Sequence, residues 1–447
     1  MSESNFSRRK FLTNAAALSA AGVIGVNMLS SCSGPKKSNI SLVIPPMLEK
    51  APDGIPLKAG LIGCGGRGSG AMIDFLNAGP NLTIHAMGDV FQDRVEECRV
   101  KLKNEKNMEI ADENAFVGFD AYEKVIDSGV DVVILATPPH FRPAHFEAAV
   151  QAGKHIFLEK PVAVDPAGIR SIMASGKKAE AMGLKIAAGT QRRHQHDYLE
   201  VYKQVMNGAI GQITSANCYW NQNKLWHRNP QANWSEMEFM IRDWVNWLWL
   251  SGDHIVEQHV HNIDVVNWFT NSHPVKAVGF GSRQRRVTGD QYDNFSVDFV
   301  YPDGMHLHSM CRQINGTVNN VSEFLVGTNG KTNCANTIWD LNGEKTFAYQ
   351  YPSEDNGQKP NNSPYLQEHV NLVTCIRKNI PINETEGIAI SNMTAIMGRI
   401  SAYTGKETTW DEMMNSGMKL GPSTYIMGEV GIVGTATVAV PGEASDS

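Results

Sequence analysis

PLKAGLIGCGGRGSGAMIDFL, residues 56–76, starts as an apolar β-rich run, breaks into glycines, and resumes with helical spacing at Met72, Phe75 and Leu76. Gly63, Gly65 and Gly68 have G-x-G-x-x-G spacing between a strand and a helix. The first glycine permits the tight turn, the second lets the backbone approach a pyrophosphate, and the third lets helix and strand pack closely. Gly66 and Arg67 lie inside the same turn and are counted with it as dinucleotide-facing positions. A second strand, LTIHAMGD, ends at Asp89. A carboxylate there suits ribose hydroxyls and repels a 2′-phosphate, so NAD is expected and NADP is less favoured, with nearby Arg94 the one feature against.

Strands and helices keep alternating downstream: VDVVILATPPH (130–140), HFEAAVQAG closed by Gly153, HIFLEKP (155–161) and LKIAAGTQRR (184–193). Such alternation implies right-handed βαβ units and a parallel sheet, whose ligands sit at the carboxyl ends of the strands. Thr137, Pro138, His140, Glu159, Lys160 and Gln191 fall at those ends and are assigned to the cofactor. Lys160 precedes Pro161, which fixes its direction. Aimed into a nucleotide crevice, it would hydrogen-bond a substrate hydroxyl and stabilise charge as the proton leaves.

From about residue 194 the pattern becomes alternating apolar and polar, as in AVGFGSRQ and NFSVDFVYPDGMHLHSMCRQ. This suits an antiparallel sheet with one exposed face. GTNGKT (327–332) is too short in spacing for a phosphate loop and reads as a hairpin turn. Seven of the nine tryptophans lie between Trp220 and Trp268; Trp220 and Trp226, in a polar stretch, are the ones expected on a sugar ring. HIVEQHVHNID (254–264), projected as one helix at about 100° per residue, gathers His254, Glu257, His261 and Asp264 on one side. His259 falls among the apolar residues and reads as core. His261 suits a general base near neutrality, with Glu257 orienting it or bonding the sugar. A cation shared by His and carboxylate is the weaker alternative because Lys160 would compete with it, so no metal is expected.

GCGGRG at 63–68, EKP at 159–161 and Glu257-x-x-x-His261 together resemble the glucose–fructose oxidoreductase / inositol dehydrogenase (Gfo/Idh/MocA) family over about residues 56–430. The third motif has Glu where the family has Asp. The resemblance implies an α/β protein, with an N-terminal Rossmann dinucleotide-binding domain followed by an α/β domain with a large open antiparallel sheet. It also implies NAD(P), a sugar or polyol substrate, and a homo-oligomer formed through the open sheet. Lys160, His261 and Glu257 are the expected catalytic residues; Arg193, Trp220, Trp226, His254 and Asp264 are the expected substrate contacts.

Apolar residues make up 42% of the chain, charged residues 19%, and the net charge is −6 without a long basic run after the first forty residues. A large core is expected, and nucleic-acid binding is not. The seven dispersed cysteines argue against a disulfide framework and a zinc knuckle. Ser7-Arg8-Arg9-Lys10-Phe11-Leu12 before an apolar stretch matches a twin-arginine export signal, and Leu29-Ser30-Ser31-Cys32 resembles a lipoprotein box. The expected division is therefore a signal peptide (1–31), a tether (32–55), the NAD-binding domain (56–193), the substrate domain (194–430) and a tail (431–447). The mature protein is expected to be periplasmic or membrane-anchored, touching the membrane only through lipid on Cys32. The expected activity is oxidation of a hydroxyl of a sugar, polyol or glycoside with a tightly held, recycled cofactor. The alternative is an NAD-dependent glycoside hydrolase working by transient C3 oxidation and elimination.

Overall fold

Leu57–Ile62 (β1) is buried at every position but one and lies inside a six-stranded parallel sheet. In this computed structural model the described residues are 44, 47–353, 357, 359–430 and 437–442. The other strands are β2 (Leu82–Asp89), β3 (Ala115–Val117), β4 (Val132–Leu135), β5 (His155–Leu158) and β6 (Ile186–Ala188), in the order β3-β2-β1-β4-β5-β6. Helices α1 (Gly66–Asn77), α2 (Gln92–Lys106), α3 (Ala121–Asp127), α4 (Arg142–Gln151) and α5 (Pro166–Ala181) fill the crossovers. Because strand residues alternate sides, Val132 and Ile134 join the core under α1 and α2, while Val133 and Leu135 join the one under α3 to α5. This is the Rossmann arrangement expected from the glycine turn.

The second sheet has nine strands: β7 (Ile213–Gln222), β8 (Lys276–Ser282), β9 (Asn294–Val300), β10 (His306–Gln313), β11 (Asn320–Gly327), β12 (Gly330–Thr332), β13 (Thr337–Asp340), β14 (Lys345–Ala348) and β15 (Thr408–Thr409). Their order is β14-β13-β12-β11-β7-β10-β9-β8-β15, antiparallel except for the β7–β10 pair. β11 and β12 form the hairpin read from GTNGKT. The remaining helices are α6 (His196–Met206), α7 (Glu236–Arg242), α8 (Leu248–Ser251), α9 (His254–Glu257), α10 (Val260–Thr270), α11 (Pro364–Arg377), α12 (Thr385–Thr404) and α13 (Trp410–Asn415). α10 and α12 cover one face of this sheet. On the other, Phe280 is 72% exposed and His308 is exposed as well.

The linear division of the chain needs three corrections. The tether is expected to run to residue 55, but Ala51 is buried and its N–H donates to Ala78 O at 2.7 Å, while Leu48 O accepts from Gln367. The stretch 194–430 is not one domain. Val370, Val373 and Ile376 of α11 share the core of α1 and α2, and Ile186 N donates to Ile382 O, so the chain returns to the first sheet. The tail is expected over 431–447, yet Ala439 O accepts from the Tyr292 hydroxyl and Gly442 N donates to Thr404 O. Cys32 and the arginine pair lie outside the described residues.

Candidate active site

The glycine turn is shaped by what side chains would strike. Gly63 has φ +97°, and a Cβ there would meet the Ala136 carbonyl carbon at 2.7 Å. At Gly68 a Cβ would lie 1.8 Å from Gly63 O, so the third glycine does set helix against strand. Around Gly65 and Gly66 no atom of the described residues stands within 4 Å of that position, leaving an open cradle before the α1 N-terminus. Unpaired amides of a helix start favour an anion there. Asp89, at the end of β2, accepts from Cys64 N at 2.8 Å through one oxygen and from Phe91 N at 3.0 Å through the other. Burial pushes its carboxyl up, against those hydrogen bonds. Each oxygen keeps a lone pair, so the set fits a dinucleotide: a glycine cradle for the pyrophosphate and a fixed acceptor for the ribose.

At the end of β5, Lys160 Nζ donates to Glu257 O at 2.7 Å and lies 3.2 Å from Glu257 Oε1, with both side chains largely buried. Glu257 Oε2 accepts from Gln258. His261 is buried and stacks on Trp220, with ring centroids 5.5 Å apart. Burial, then the charges of Lys160, Arg192 and Arg67, hold its imidazole well below the usual histidine range, so it is neutral at neutral pH. The structure thus brings Lys160, Glu257, His261 and Trp220 together.

Other expected contacts are engaged within the protein. Glu159 and Arg67 pair with each other, and Arg67 also reaches Glu368 at 3.3 Å. Arg193 makes a two-pronged pair with Asp264, 2.8 Å per prong, and both are buried. The single helix drawn through 254–264 is broken: α9 ends at Glu257 and α10 starts at Val260. His259 N bonds back to His254 O, five residues away, so the projection that aligned His254 and Asp264 with His261 does not hold. His254 instead binds the buried Asp253 at 2.9 Å. His259 is buried against Ser309 Oγ at 2.7 Å. Trp226 is exposed and edge-on to Trp244. Thr137 Oγ1 meets His145 Nδ1 at 3.3 Å, and Gln191 is buried with its side-chain oxygen unpartnered among the described residues. Among the described residues no group of three or more His, Cys, Asp or Glu is placed to hold a metal ion.

Three features escaped the sequence reading. Arg192, next to Arg193, lies over Trp220 and pairs with Glu323 at 2.8 Å; the doublet was visible, but not which arginine faces the pocket. Arg142 is buried, donates to Pro161 O, and is pushed down to about 10 by burial. Residues 417–430 cross the loops after β4 and β5: Tyr425 OH meets His140 Nε2 at 2.7 Å in the first, and Leu420 N donates to Asp165 at 2.8 Å in the second. His140 therefore faces this strap, its imidazole pushed down to about 4 by burial and the Lys419 charge. No local pattern in a Gly-, Ser- and Met-containing segment announces such a role.

Two family models match the chain: the oxidoreductase family with NAD-binding Rossmann fold over residues 57–186, and the GFO/IDH/MocA C-terminal domain over residues 198–332. Together they span more than half of it. The scyllo-inositol 2-dehydrogenase (NADP(+)) IolW of Bacillus subtilis is 24% identical over 46% of this chain and 51% of its own length. The inositol 2-dehydrogenase of Acidothermus cellulolyticus is 28% identical over 54% of this chain and 62% of its own. The chain thus spans about half the length of the curated relatives it matches. Among solved structures, scyllo-inositol dehydrogenase from Lactobacillus casei with NAD(H) and scyllo-inositol superposes with TM-score 0.59 at 19% identity, covering 79% of this chain and 99% of that one. Aldose-aldose oxidoreductase from Caulobacter crescentus gives TM-score 0.61 at 18% identity, covering 79% and 100%. At these identities the superpositions show the shared fold.

Proposed function

Since the chain belongs to the Gfo/Idh/MocA oxidoreductase family, we propose that it oxidises a hydroxyl of a sugar, polyol or glycoside with NAD. The observation that carries this reading is the joining of Lys160, Glu257 and a neutral, buried His261 at the β5 end, in the domain that holds the glycine cradle. His261 takes the hydroxyl proton on a ring nitrogen. Lys160 donates a hydrogen bond to the substrate oxygen as its charge grows, and Glu257 holds the ammonium in place. Trp220 backs the imidazole and offers an aromatic edge to the sugar. A bound nicotinamide would supply the hydride acceptor for the carbinol carbon. NAD is favoured over NADP because Asp89 would repel a 2′-phosphate, and Arg94, the nearby cation, is paired with Glu97 at 2.9 Å.

The redox-neutral glycosidase is not favoured: the relatives above are named as dehydrogenases. Purified protein mixed with NAD and a panel of inositols, aldoses and glycosides decides between them. Absorbance of the reduced cofactor, one equivalent per protein if the nucleotide is held, with a keto product supports the oxidoreductase. Release of free sugar without net reduction would overturn it. Export by the twin-arginine route with lipid on Cys32 is part of the proposal; [³H]palmitate labelling that persists in Cys32→Ala would refute the anchor. Self-association through the face bearing Phe280 is the proposed assembly, and an unchanged mass in light scattering after Phe280→Glu would count against it.

A further inference from the structure

The adenosine end of the crevice has a roof that the first domain does not supply. Beside Asp89 lies a pocket of about 50 Å³, partly open to solvent, walled by Val90, Phe119, Tyr122 and Phe141, with Ile241 of α7 on one side. That is less room than a nucleoside needs, so seating one there displaces α7 from the β2 turn. The next residue, Arg242, sits 3.9 Å over the Phe91 ring and grips Asp93 with two hydrogen bonds of 2.9 Å. α7 is therefore fastened to the turn that follows Asp89, where ribose hydroxyls bind in this fold. The strap lies over it in turn: Gly428 O accepts from Met237 N at 3.0 Å, and Val430 N donates to Glu236 at 2.6 Å, both on α7. Three residues before Gly428, Tyr425 is tied to His140 of the β4 loop. One continuous set of contacts thus runs from the β2 turn through α7 and the strap to β4.

The geometry points to a clasp: α7 and residues 417–430 hold the dinucleotide as a non-exchanging group, released only when the Arg242–Asp93 pair and the Tyr425–His140 bond open together. This rests on the dinucleotide reading of the site and adds the residues that control exchange. Release is then limited by roof opening rather than by contacts to the nucleotide alone. Asp93 is half exposed, so the ionic half of the clasp is screened by salt and exchange quickens as ionic strength rises.

The test loads the purified full chain with NAD and follows replacement by fluorescent etheno-NAD, with no substrate present. Expected is retention through desalting and slow exchange in the wild type. Arg242→Met and Asp93→Asn each speed exchange by about ten-fold or more, as loss of a charged hydrogen-bond pair allows. Tyr425→Phe speeds it less. The swapped pair Arg242→Asp with Asp93→Arg restores slow exchange. Wild-type exchange complete within mixing, or variants indistinguishable from wild type, overturns the clasp. Should Arg242→Met fail to fold, Asp93→Asn at the half-exposed carboxylate carries the test. Slow exchange without oxidation of any polyol defeats the oxidoreductase reading and leaves the clasp. Polyol oxidation with freely exchanging NAD does the reverse, and a chain that binds no nucleotide defeats both.

Discussion

Lys160 is held by two acceptors of one residue, the carbonyl and the carboxylate of Glu257. In the proposed reaction its loss would remove the donor that steadies charge on the substrate oxygen, while leaving the glycine cradle untouched. Lys160→Met is expected to lower kcat by about 10²- to 10⁴-fold, with nucleotide content unchanged when the denatured protein is assayed. Equal losses of activity and nucleotide would show a structural role instead. His261 gives a pH prediction. Burial depresses its imidazole well below 6.5, so the base form persists as pH falls through 6.5. The kcat/KM profile should stay level through that pH and decline only below it; an acid limb at or above 6.5 that vanishes in His261→Asn contradicts the assignment. The glycines, Asp89 and Lys160 were legible because strand, turn and helix fix their places over a short span. The Arg192–Glu323 and Arg67–Glu368 pairs were not, since their partners lie on distant elements that only the folded chain brings near.

At the scale of elements, the break between α9 and α10 is the feature the sequence hid. Apolar periodicity runs through it, because Ile255, Val256, Val260 and Ile263 are all buried on either side. The polar residues are buried as well, paired inside the protein rather than gathered on one wet face, so an amphipathic projection had no solvent side to find. What sets α9 is Asp253, a non-glycine at φ +72°. One of its oxygens accepts from His254 N at 2.6 Å and His254 Nδ1 at 2.9 Å; the other takes Tyr292 N at 2.9 Å and the Tyr403 hydroxyl at 2.5 Å. Arg286 lies 3.9 Å away. Asp253→Ala leaves these donors buried without an acceptor and should cost about 3–5 kcal/mol. Because α9 carries Glu257, kcat should fall too. Urea denaturation and steady-state rates on the same preparation check both; a cost under about 1 kcal/mol, the value of an exposed pair, would mean the network is dispensable.

Over the whole molecule, alternation of strands and helices announced the first sheet, and period-two runs announced the second. The return of α11 to the first sheet was not announced, because a buried amphipathic helix does not name the sheet it will join. The same interlocking buries several histidines between layers. Burial pushes His145 and His259 down to about 3, and burial with the Lys419 charge takes His140 to about 4. In the unfolded chain each takes a proton near pH 6.5. Between pH 6.5 and about 4 the unfolded state therefore binds more protons at these sites, and stability falls as pH falls. Asp290, raised to about 6 by burial, works the other way, since the native state binds its proton first. Each depressed histidine contributes up to about 1.4 kcal/mol per pH unit to the slope. His259→Gln isolates one of them: buried, bonded to Ser309, and outside the Lys160–Glu257 cluster. The variant should be less stable than wild type at pH 7.5, with an acid-side slope shallower by about one proton. Stability by urea titration at half-unit steps from pH 7.5 to 4 measures it, and parallel curves for the two proteins would show that His259 titrates normally in the fold.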